Sequence, residues 1–158
     1  MNKAVIVKVF DSTGREIASQ KHLCRLMDAA LLQDALFKGL LETNGEAVLF
    51  VDQERMSKHV LIRLRFNGQD GGLVEEKIIA ESPGMSKRTS FYVMKNSEDD
   101  TYAIFYCTEI PQFKDAKLKV TYYGSNHEVT REVPLEVNRK EYDQLSVVGA
   151  EWQQSGIL

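Results

Sequence analysis

Three prolines, three histidines and two cysteines are a small supply of the residues that break chains, bind metals and cross-link them. The soft metal ligands are His22, Cys24, His59, Cys107 and His127, and no two of them stand at a Cys-x-x-Cys or His-x-x-x-His spacing. His22 and Cys24 fall two apart on a segment that reads as helix, so their side chains diverge and cannot readily share an ion. No metal and no cofactor is expected. The alternating Asp/Asn ladder of a calcium loop is missing from the acidic run Asn96-Ser97-Glu98-Asp99-Asp100, and the glycines of the 67–72 turn precede no helix that could cradle a phosphate.

Charge of one sign is also lacking. Twenty basic and 23 acidic residues give a formal net charge of -3, so no global field draws the chain to nucleic acid or anionic lipid. The longest apolar-rich segment, 22–42, contains Arg25, Asp28, Asp34 and Lys38, which argues against a membrane span. Residues 1–10 alternate apolar and polar positions and carry no secretory pattern. With only Cys24 and Cys107, the expected setting is cytoplasmic with both thiols reduced, or a virion for a phage-encoded chain.

What is present is one core's worth of globular sequence: 158 residues, 43% hydrophobic and 27% charged. A single domain over 1–158 is expected, with 146–158 as a C-terminal docking tail. Val5, Val7 and Val9 alternate with polar neighbours before the turn residues Asp11-Ser12-Thr13-Gly14, a hairpin signal. At 100° per residue Leu26, Ala29, Ala30, Leu32, Leu36, Phe37, Leu40 and Leu41 cover roughly half the circumference, which predicts an amphipathic helix over 22–42, ended by Asn44-Gly45. Leu31 lies on its other side and is a candidate partner contact.

Beyond Gly45 the pattern is β. Val60, Ile62, Leu64 and Phe66 alternate with Leu61, Arg63 and Arg65, and further strands follow around 73–81, 91–95, 102–108, 117–122 and 128–137. Pro134 points to an edge position because it cannot donate to a ladder. Asn138 and Glu141 resemble a capping box, predicting a short helix to about Leu145. The expected fold is α+β and mainly antiparallel: a sandwich or barrel of about 7–8 strands with the long helix packed on it and the short helix at the end.

Cys107 with His127, oriented by Glu109 or Glu128, is the one conceivable nucleophilic pair of a small hydrolase, but Cys107 shares its predicted strand face with Ala103 and Phe105, where a thiol is ordinarily an inert core residue. Arg63 with Arg65 and Lys117 with Lys119, flanked by tyrosines such as Tyr123, outline a single-stranded nucleic-acid surface as the alternative function. The reading preferred from sequence is non-enzymatic: a structural or protein-binding module that associates with itself, in the manner of β-rich assembly or virion-type subunits. Its partner contacts would be Leu31 and the tail residues Val147, Val148, Trp152, Ile157 and Leu158.

Overall fold

The computed structural model describes residues 4–27, 35–83, 88–110, 115–135, 152–153 and 156–157. It is all-β, with no helix among these residues. The chain divides into two compact units, Met1–Glu81 and Ser82–Leu158.

In the first unit β1 (Val5–Phe10) and β2 (Glu16–His22) form an antiparallel hairpin. Its turn is organised by Asp11, whose Oδ1 accepts from the Thr13 amide at 2.9 Å, the Thr13 hydroxyl at 2.6 Å and the Arg15 amide at 3.0 Å. These donors hold the Asp11 carboxyl below its ordinary value, the Thr13 hydroxyl contributing most. Next come β3 (Leu36–Thr43), β4 (Glu46–Arg55), β5 (Lys58–Asn67) and β6 (Leu73–Glu81), an antiparallel sheet in the order β3-β4-β5-β6.

Val60, Ile62, Leu64 and Phe66 share one face of this sheet, as the alternation predicts, but β5 is buried on both faces rather than half-buried. The hairpin covers them through Val5 and Val7, joined by Cys24, Leu26 and Met27. Three contacts fix the hairpin to the 67–72 turn. Gln20 Nε2 donates to the Asp70 carbonyl at 3.0 Å, His22 Nε2 donates to the Gly71 carbonyl at 2.8 Å, and Gly71, at φ +74°, leaves a Cβ-sized space only 3.1 Å from Val7 Cγ1. Val48, Phe50, Asp52, Leu61 and Arg63, on the opposite face, are buried as well.

The second unit holds β7 (Arg88–Lys95), β8 (Tyr102–Ile110), β9 (Asp115–Tyr123) and β10 (Val129–Leu135), antiparallel in the order β10-β9-β8-β7. Ala103, Phe105, Cys107 and Val120 cluster with Tyr92, Met94, Leu118 and Tyr122. A two-residue pair, β11 (Trp152–Gln153) with β12 (Gly156–Ile157), stands by itself.

The α+β expectation is thus corrected. Within 22–42, His22 ends β2 and Leu36 to Glu42 belong to β3; residues 28–34 lie outside the described part, as do Leu31, the short helix expected over 138–145, and Val147, Val148 and Leu158. The cause of the misreading is local. Opposite β4, Phe37 pairs with Val51 and Gly39 with Phe50, so Lys38 is an extra residue, a β-bulge. The bulge puts Phe37 and Leu40 on the same face although they are three apart, a spacing that a regular strand does not give and a helix does. Asn44 and Gly45, at φ 51° and 73°, do not stop a helix but make the two-residue turn between β3 and β4, since a primed hairpin turn needs the same left-handed conformation as a helix end. Neither four-stranded sheet closes on itself, so there is no barrel, and ten strands in three sheets plus the short pair replace the seven or eight expected.

Candidate functional site

Unit 1 concentrates the features that could engage a partner. Nine of the eleven large apolar residues exposed among the described residues belong to it: Ile6, Phe10, Ile17, Leu23, Leu36, Phe37, Leu40, Met56 and Val74. Alternation explains the hairpin group. Val5, Val7 and Val9 turn towards the sheet, so Ile6 and Phe10 are left on the outer side, more than half exposed, with Ile17 at the bulge and Leu23 just beyond β2. On the edge strand β3, Leu36, Phe37 and Leu40 are 55%, 68% and 61% exposed. Isolated exposed apolar side chains are ordinary, whereas seven within one unit, on the hairpin, just after it and on the edge strand β3, are not.

Where β2 ends, an open groove of about 650 Å³ is lined by Leu23, Leu26 and Leu73, with Lys21, His22, Arg25 and Glu76 around them. Glu76 builds its wall by accepting the Arg25 amide at 2.9 Å and the Leu26 amide at 2.7 Å. Burial first, and then the charge of Glu76, push the Cys24 thiol up from 9.0, against a smaller opposing effect of the Val5 backbone hydrogen bond.

Two polar clusters knit the sheet. Asp52, buried on β4, lies 3.3 Å from Lys38 Nζ on β3 and 3.1 Å from His59 Nδ1 on β5, so one carboxylate ties three strands. Arg63, 1% exposed, donates from Nε to Glu75 Oε1 at 2.8 Å, with Nη2 2.7 Å from the same oxygen. Arg65 makes a bidentate pair with Glu46 at 2.6 and 2.9 Å and lies 3.6 Å from Glu75. The strand face nominated from sequence as part of a nucleic-acid surface therefore buries Arg63, because Glu75 on β6 sits beside it to take the charge. That partner is separated by twelve residues, and no pattern local to β5 announces it.

The other sequence-nominated residues fall as follows. Lys117 is exposed and Lys119 is paired with Glu132 at 2.7 Å. Tyr123 is buried, stacked on Tyr102 at 4.9 Å between ring centroids with an interplanar angle of 6°. Arg63, Arg65, Lys119 and Tyr123 are thus engaged inside their own units. Cys107 lies with Ala103 and Phe105 on one face of β8, whereas the His127 ring contacts Tyr102, which alternation places on the other; the structure does not bring Cys107 and His127 together. Trp152 and Ile157 pair across β11 and β12.

Among the described residues no three His, Cys, Asp or Glu side chains converge as a metal site would require, and no helix is long and apolar enough to cross a membrane. Comparison with protein-family models, with curated proteins and with solved structures gives no match.

Proposed function

We propose that this chain is a non-enzymatic structural or protein-binding module that associates with copies of itself, in a cytoplasmic or virion setting. The observation that supports this reading is the apolar exposure of unit 1 on the outer side of the hairpin and on β3. A large aliphatic or aromatic side chain gains about 1.5–3 kcal/mol on full burial, so one already half buried holds back about 1 kcal/mol. Seven such side chains together offer about 5–10 kcal/mol, the same order as the ~4–15 kcal/mol that association costs in lost freedom. Self-association through these residues alone is therefore weak and concentration-dependent, and the tail residues Val147, Val148, Trp152, Ile157 and Leu158, with Leu31, are the proposed source of additional contact.

The test is mass by sedimentation velocity from low to high micromolar concentration, on the native chain and on a Phe37→Lys, Leu40→Lys variant. The native mass is expected to rise with concentration and the variant to need about tenfold more protein to reach the same mass. A native chain that stays monomeric throughout sinks the reading.

A further inference from the structure

We propose that the groove at the end of β2 receives residues 146–157 of a second copy of this chain, an inference that rests on self-association as the protein's function. Lys21 and Arg25, like Arg55 and Lys77 elsewhere in the unit, have no acidic side-chain partner among the described residues, whereas Lys8, Arg15, Lys38, Lys58, Arg63 and Arg65 do. The carboxylate closest to hand, Glu76, already takes two backbone amides with its two oxygens. Two cations without acidic partners among the described residues, beside Leu23, Leu26 and Leu73, suit an occupant with apolar bulk and a negative charge. The groove is too open to enclose a small molecule as ligand cavities do, and an extended or hairpin peptide suits it better.

Residues 146–157 have that chemistry. They contain Val147, Val148, Trp152 and Ile157, and their one charged residue is Glu151. The strand pair that places Trp152 opposite Ile157 is only two residues long on each side. So short a ladder is not stable in water without a surface to pack on. Glu151 adjoins Trp152, so an apolar pair seated among the leucines would carry its carboxylate to the cationic rim. A contact of groove to tail is heterologous: each copy would offer one groove and one tail, and repetition closes a ring or extends a filament.

Zero-length carbodiimide cross-linking of an equal mixture of ordinary and nitrogen-15-labelled full-length protein tests this directly. An amide between Lys21 and Glu151 is expected, with mixed-isotope cross-linked peptides proving that the two residues come from different copies. Charge reversal supplies the second readout. Lys21→Glu with Arg25→Glu, and separately Glu151→Lys, should each weaken association by about tenfold, while all three changes in one chain should restore it. Lys21 and Arg25 are exposed, and circular dichroism of each variant checks that its strands are retained. Association that persists unchanged in both charge-reversal variants, with Glu151 cross-linked elsewhere or only within one chain, overturns the groove-to-tail contact and leaves self-association standing. A native chain monomeric at every concentration overturns both.

Discussion

Glu75→Ala should cost far more stability than the removal of any exposed ion pair in the protein. Arg63 has a side chain only 2% exposed, held at 2.8 and 2.7 Å by one oxygen of Glu75, itself 26% exposed. Taking away one partner of a buried pair typically costs about 3–5 kcal/mol, because the remaining charge is left in a medium that solvates it poorly. Water reaches Glu75, which puts the expected loss at the lower end, about 3 kcal/mol. The contrast is Lys8→Ala. Lys8 and Glu16 approach to 2.6 Å, closer than Arg63 and Glu75, but are 51% and 40% exposed, so solvent screens them and the loss should stay below about 1 kcal/mol. Burial, not distance, decides between the two.

Native-state hydrogen exchange at the amides of β5 is the assay, since it reports the opening free energy of that sheet rather than an average over both units. A loss of 3 kcal/mol corresponds to exchange faster by about two orders of magnitude. Arg63→Met combined with Glu75→Met should recover most of it, because a well-packed apolar pair replaces the buried charges at little net cost. If Glu75→Ala and Lys8→Ala accelerate exchange equally, Arg63 is reached by water and the reasoning from burial is wrong.

The turn between β4 and β5 places Met56 and Ser57 at φ 49° and 63°, and Met56 is 96% exposed; Met56→Asn with Ser57→Gly supplies the residues this primed turn prefers and should stabilise by about 1 kcal/mol, read as a higher urea midpoint. At Cys24 the native state holds its proton more tightly than the unfolded chain, so its contribution to stability is complete below pH 9.0 and is lost as pH rises through the elevated native value. Iodoacetamide should therefore alkylate Cys24 at pH 8 more slowly than a cysteine in a short peptide, and Cys24→Ser should flatten the alkaline decline in stability. Alkylation at the peptide rate would refute the shift.

The parts of the fold legible in the sequence are those where pattern and turn chemistry are local. The 5–22 hairpin, the alternation of Val60 to Phe66, the turn at 67–72 and the edge position of Pro134 all follow from short-range rules, and each is found in place. The failure at β3 is also local in origin, since one inserted residue, Lys38, converts a two-residue period into one that mimics a helix. Partners brought together by sheet order are a different case. Lys38, Asp52 and His59 meet only because β3, β4 and β5 are neighbours, and the groove exists only because the chain after β2 crosses beside Leu73 and Glu76. Neither is visible from spacing along the chain.

The edges of the sheets bear on how copies of this chain would meet. An exposed edge strand is an open template for another strand, and three of the four edges of the two four-stranded sheets are interrupted. On β3 the bulge at Lys38 breaks the row of backbone groups, and its ammonium turns inward to Asp52. On β6 the register with β5 shifts twice, and β10 carries both Pro134 and a shift near Val129. The fourth, β7, runs in unbroken register with β8 and ends on Lys95, whose charge opposes stacking of like edges. Continuous sheet extension from copy to copy is thus obstructed at most edges, while the exposed apolar residues lie on faces and beside a groove. Association that uses side-chain docking rather than shared ladders stays reversible and keeps a defined geometry, whereas edge pairing of such apolar strands would propagate without a limit. The same bulge that hides β3 from sequence reading blunts its edge, and it leaves Phe37 and Leu40 together on one face as an apolar step for a partner to cover.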